Sequence, residues 1–167
     1  GALGPRRAGE RIATRKRILQ PVTILHHIEV AVPVNVPHGG ALAINGRSWP
    51  YTERVEATVG DSVRWRVINA TVRPHPMHLH GFYFRVTALG GFASDSAYAA
   101  EDERLVVTES MLPQSSMAMA FQAREEGNWL FHCHLIYHVS PGANLTWPDG
   151  ASAAHDEHFH MGGLVLG

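Results

Sequence analysis

The chain has 167 residues, 45% of them apolar and 17% charged, with a formal net charge of −1. That length suits one domain with a real core, and the composition excludes a largely disordered chain. The near-zero charge argues against nucleic acid as the main partner, because phosphate binding needs a basic surface. A single cysteine, Cys133, excludes an internal disulfide framework and a Cys-rich zinc site. No apolar run reaches the roughly 18 residues of a membrane span.

Residues 1–20 include Arg6, Arg7, Arg11, Arg15, Lys16 and Arg17 and read as a solvated basic tail or linker. Residues 21–167 read as one domain. VTILHHIEVAV is β-branched and predicts a strand, which VPHGGA ends. ALAING, RVEATV and SVRWRVINA predict short strands separated by the turn signals NGRSWP and GD. Val63, Trp65 and Val67 alternate with Arg64 and Arg66, the period of a half-buried strand. FYFRVTAL is the next strand. GGFASDSAYAAEDE reads as a solvated loop made acidic by Asp95, Glu101, Asp102 and Glu103. RLVVTES, SMAMAFQA and NWLFHCH are further strands, and the irregular SPGANLTWPDGASAAHDEH precedes a last apolar run, MGGLVLG. About seven to nine short strands, with no helix of useful length and no repeat, predict an all-β antiparallel sandwich or barrel. The chain starts at Gly1 without Met and stops inside an apolar run, so it reads as a piece of a longer protein.

Twelve histidines are an unusual number for this length, and six fall in two short clusters: HPMHLHGFYF, with His75, His78 and His80, and HCHLIYH, with His132, His134 and His138. Side chains alternate between faces along a strand. His78 and His80 therefore share a face, as do His132 and His134, while Cys133 points the other way. His75 falls on the Cys133 side by parity, and His138, beyond the strand, can curl back to it. Two metal sites follow, one on each face, joined through residues 132–134. His75, Cys133 and His138 form the two-imidazole, one-thiolate set of a blue-copper electron-transfer centre. The all-imidazole face suits copper, zinc, iron or nickel, and the neighbouring thiolate site favours copper. Zinc-finger spacing and the helical HExxH of zinc proteases are absent. A Cys–His nucleophile would leave HPMHLHG without a role. Leu135, Ile136 and Tyr137 read as a shield for the metal or as core.

HPMHLHGFYF and HCHLIYHVSPG resemble the two copper motifs in the C-terminal cupredoxin domain of multicopper oxidases, the laccase-like family. LAINGRSWPYTERVEATVGDSVRWRVINAT resembles the strands before the first motif, so the likeness spans about Ala41 to Gly142. It implies a cupredoxin-like Greek-key β-sandwich or barrel with copper as cofactor. By position, His75, Cys133 and His138 match the type 1 ligands, His78 the type 2 ligand, and His80, His132 and His134 ligands of the type 3 pair. Cys133, His132 and His134 would carry electrons from a small reducing substrate (a phenol, an amine or a metal ion) to a trinuclear cluster that reduces O₂ to water. A periplasmic or extracellular location is also implied.

Three departures qualify the likeness. The family's cluster uses eight histidines, and only four match here, so a second cupredoxin domain or chain is expected to supply the rest. His26, His27, His38, His155, His158 and His160 read as surface or loop residues. The frequent axial Met is replaced by Ala143, which should raise the reduction potential, and Met161 is the nearest substitute in sequence. Phe82 stands where the family has a histidine that is not a ligand. The alternative function is a one-domain blue-copper electron carrier, which would use only His75, Cys133 and His138. A copper-storage module is a third reading, and a nitrite reductase would not call for the HCH sequence.

Overall fold

In a computed structural model of the chain, the described residues are 23–31, 41–91, 93–139, 143–145, 152–154 and 161–167. The predicted tail and His38, His155, His158 and His160 lie outside them, as do the side chains of His26 and His27. The described strands are β1 (Thr23–Ala31), β2 (Ala43–Ile44), β3 (Ser62–Asn69), β4 (His75–Leu79), β5 (Phe84–Gly91), β6 (Asp95–Ala97), β7 (Arg104–Val106), β8 (Thr108–Met111), β9 (Ser115–Gln122), β10 (Phe131–Cys133), β11 (Ala143–Leu145), β12 (Ser152–Ala154) and β13 (Val165–Leu166). The described helix, α1, is a single turn, Ile136–Val139.

The strands form two main sheets, as an all-β sandwich requires. One runs β2-β1-β3-β9-β5-β6, with β7 also pairing β5; the other runs β13-β10-β4-β8. The β11-β12 pair stands apart. The pairings are antiparallel except β1 with β3, which run parallel. The chain changes sheet between β3 and β4, β4 and β5, β7 and β8, β8 and β9, and β9 and β10, so the donor-bearing strands β4 and β10 become neighbours although far apart in sequence.

Strand alternation supplies the core. Val63, Trp65 and Val67 of β3 are buried, with Met117 and Met119 of β9 and Phe84 and Val86 of β5. Facing them are Met77 and Leu79 of β4, Met111 of β8, and Phe131 and Cys133 of β10. Trp65 and Phe131 meet edge to face with ring centroids 5.1 Å apart, tying the two sheets together. Truncating a buried aromatic such as Phe131 to Ala costs about 3–5 kcal/mol, because the close-packed surroundings cannot refill the space.

Four elements differ from the sequence expectation. RVEATV forms no strand: it pairs in no sheet, and its last residues, Thr58 and Val59, enter the turn that Asp61 N–H closes on the Thr58 carbonyl. Its Val55 N–H bonds the Gly167 carbonyl, and most of its side chains are exposed. RLVVTES splits at Val107 into β7 and β8, which serve different sheets. The acidic loop contains β6, held by Arg66 and Ser116 on Asp95. The stretch read as irregular after His138 contains β11 and β12. The Asn45-Gly46 turn is as expected: both residues have positive φ, and Ile44 and Arg47 exchange backbone hydrogen bonds of 2.8 and 3.1 Å.

Candidate metal centre

Register places the donors. On the antiparallel β4–β10 ladder, His132 pairs with His78 and Cys133 with Met77. Consecutive residues face opposite ways, so Cys133 turns inward and His132 turns outward toward His78. His75, two residues before Met77, shares the inner face. The α1 turn then brings His138 back: its N–H bonds the Leu135 carbonyl, and its own carbonyl accepts from Leu164 N–H.

On the inner face, Cys133 Sγ is 3.3 Å from His138 Nδ1 and 3.6 Å from His75 Nδ1. The three donor atoms lie within 4.8 Å of one another, and all three residues are buried. Burial pushes His75 down to about 4, with help from the neighbouring His138 and Arg73. It also lowers His138 and pushes the Cys133 thiol up to about 11. Burial thus leaves the imidazoles neutral, with lone pairs free for a metal, and keeps the thiol protonated until a cation replaces its proton.

On the outer face, donor atoms of His78, His80 and His132 also lie within 4.8 Å of one another. His80 Nε2 and His132 Nε2 are 2.9 Å apart. His134 is exposed and stands outside this tight set, but its ring centroid is 4.9 Å from that of His78 and 5.6 Å from that of His132. Burial lowers His132, and also His78. His78 Nδ1 is 2.8 Å from Thr108 Oγ1, which leaves Nε2 toward the cluster.

All seven predicted site residues are therefore brought together, in two groups divided by the backbone of β10. Both donor sets fit copper: thiolate with imidazole on one side, imidazoles alone on the other. Ala143 lies on β11 with its side chain outside the described residues. Met161 packs against the core cluster. Leu135, Ile136 and Tyr137 are not core: Ile136 is 62% and Tyr137 80% exposed. Their α1 turn needs its buried face for His138 and Val139, which leaves them on the outside. Phe82 is buried, stacked on Phe121 and edge-on to Trp129.

Sequence reasoning missed the polar residues behind the candidate donor His75. Asn69 and Thr71 are buried, and Thr71 Oγ1 is 2.7 Å from His75 Nε2. The signal was available: Asn69 continues the buried parity of Val63, Trp65 and Val67, and a buried amide needs a set of partners.

The two sheets and the paired donor groups define a cupredoxin-like β-sandwich. Residues 20–151 match the multicopper oxidase family model, and the chain belongs to that family. It is 36% identical over 75 residues to Oxidoreductase OpS5 of Beauveria bassiana, a match covering 44% of this chain and 13% of that protein. It is 35% identical over 103 residues to Laccase-3 of Botryotinia fuckeliana, covering 59% and 22%. The chain thus spans less than a quarter of the length of these relatives. The crystal structure of Blue Copper Oxidase from Nitrosomonas europaea shares the fold with a TM-score of 0.64 at 20% identity, over 87% of this chain and 43% of that one. Among the described residues, no helix is long and apolar enough to cross a membrane.

Proposed function

We propose that this chain is the C-terminal copper-binding domain of a larger oxidase that takes electrons from a small reducing substrate and delivers them to O₂. His75, Cys133 and His138 would hold a type 1 copper. His78, His80, His132 and His134 would supply half the ligands of a trinuclear cluster, with a second cupredoxin domain or chain supplying the others. When bound, copper supplies one-electron redox chemistry at the first site and the reduction of O₂ to water at the second.

The observation that carries this reading is the register of β4 and β10, which sets His132 and Cys133 on opposite faces of one strand, with His134 just past its end and its ring beside that of His78. Cys133 offers the metal a sulfur donor and stands one peptide unit from His132 and from His134, so three residues connect the two groups covalently. Burial of His75, Cys133 and His138 excludes water and limits reorganisation when charge changes there. The thiolate site would receive electrons only: the proton that a phenol or amine sheds on oxidation would pass to water at the substrate, and a metal-ion donor sheds none, so His75, Cys133 and His138 need move no proton. The substrate (a phenol, an amine or a metal ion) and a periplasmic or extracellular location belong to the same proposal.

Copper stoichiometry and O₂ uptake of the protein at its native length test it. Three or four coppers per assembly, an intense blue band and O₂ consumption are expected. One copper per chain with the blue band and no O₂ consumption would instead make it an electron carrier, and several weakly held coppers without the band would indicate storage.

A further inference from the structure

Behind His75 lies a buried set of hydrogen bonds whose protons can be assigned. Asn69 Nδ2 faces the carbonyls of Arg73 and Leu112, each at 2.8 Å, so both amide protons are used and Oδ1 must point the other way. Oδ1 accepts from Thr71 N–H at 3.0 Å and lies 2.8 Å from Thr71 Oγ1. Thr71 Oγ1 also lies 3.0 Å from the Arg73 carbonyl and accepts from Arg73 N–H at 3.1 Å. Its fourth neighbour is His75 Nε2 at 2.7 Å.

A hydroxyl has one proton and two lone pairs. Asn69 Oδ1 and the Arg73 carbonyl can only accept. If Thr71 gave its proton to His75, three oxygens would crowd together at 2.8 and 3.0 Å with no proton between them. If the proton goes to either of those oxygens, one lone pair takes Arg73 N–H and the other takes a proton from His75 Nε2. The second arrangement makes one hydrogen bond more and leaves one opposed oxygen pair instead of two. A neutral imidazole protonated at Nε2 has its lone pair on Nδ1, and Nδ1 is the atom that faces Cys133 Sγ.

We propose that Asn69 and Thr71 are positioning residues that hold His75 in the Nε2-protonated tautomer and so aim its Nδ1 lone pair at the space shared with Cys133 and His138. For its functional consequence this rests on His75 being a copper ligand. The tautomer itself is a property of the metal-free protein, so the two ideas fail separately.

Long-range proton–nitrogen NMR of the isotope-labelled, metal-free chain at neutral pH reads the tautomer. His75 is expected to carry a slowly exchanging proton on Nε2 in the wild type and in Thr71→Ser, which keeps the hydroxyl. Thr71→Val, which keeps the shape and removes the hydroxyl, should give a mixture of tautomers. Its affinity for Co(II) at the thiolate site should fall about 10–100-fold, the usual loss when the partner behind a ligating histidine is removed, with Thr71→Ser restoring it. A wild-type His75 protonated on Nδ1 would overturn the proposal, as would a Thr71→Val protein with the tautomer and Co(II) affinity both unchanged. Should Thr71→Val not fold, the wild-type spectrum still decides the tautomer, and the smaller Thr71→Ala, with faster exchange of the Nε2 proton expected, replaces it.

Discussion

His138 Nδ1 lies 3.3 Å from Cys133 Sγ although the two residues are separated by a strand end and a helical turn. The turn makes this donor pair local in sequence, while His75 comes from the neighbouring strand. Cys133→Ser therefore removes the sulfur donor but little volume. Copper titration should then give no intense blue band, while the thermal midpoint of the metal-free chain drops only by an amount equivalent to about 1–2 kcal/mol, for a buried hydroxyl in place of a thiol. A blue band surviving in Cys133→Ser would show that the donor set has been misassigned.

The two donor groups share a backbone but no side chain. His78 bonds Thr108 and faces His80, His132 and His134, with Met77 and Leu79 on the far side of β4. His78→Ala should weaken metal binding on the outer face while the thiolate absorption keeps its position and intensity. Loss of both signals together would mean that the sites do not fill independently.

How much of this was legible in the sequence depends on the kind of signal. Parity gave the two faces of β4 and β10, because a period of two follows from backbone geometry and needs no tertiary knowledge. Burial of β3 was readable for the same reason. RVEATV failed because strand propensity describes a residue's fit to a pleated surface, and this segment joins no ladder, its Val55 N–H bonding the Gly167 carbonyl instead. Val107 failed as the middle of one strand because the change of sheet is set by which strands β7 and β8 meet, information held in β4 and β5 rather than in RLVVTES. Asn69 and Thr71 stand at the end of the stretch read as the strands before the first motif, where nothing local ties them to a donor, and only the packed structure brings them behind His75.

The metal-free chain should be most stable between about pH 6.5 and 9. His75 is lowered from 6.5 to about 4, so the unfolded chain binds the extra proton first as pH falls through that window. Its contribution is full above 6.5 and disappears by about 4, a loss on the order of 3 kcal/mol. His132 and His138 are lowered too and act in the same direction. Cys133 is raised from 9.0 to about 11, so stability falls again as pH rises through that interval. Urea midpoints across pH would trace this dome, and Cys133→Ala should flatten its alkaline side. A midpoint that stays level between pH 7 and 4 would contradict the acid limb. Copper binding at neutral pH should release the Cys133 proton, detectable in weakly buffered solution.

Gly81 connects His80 to the buried Phe82 with φ at +77°, and a Cβ there would come within 2.4 Å of Trp129 Cε3. Gly46 has nearly the same φ, +78°, yet a Cβ on it would meet nothing within 4 Å. The pair separates conformational strain from packing. Gly46→Ala should cost about 1 kcal/mol, the penalty for a side chain in the left-handed region. Gly81→Ala should cost about 2–3 kcal/mol, because the Trp129 ring must also leave its place against Phe82. That displacement should reach His80 next door and weaken metal binding by the His78, His80 and His132 group, while Gly46→Ala leaves binding as it was. Equal urea midpoints for the two variants would mean that Trp129 moves aside freely and that the backbone before Phe82 is not what holds His80 in place.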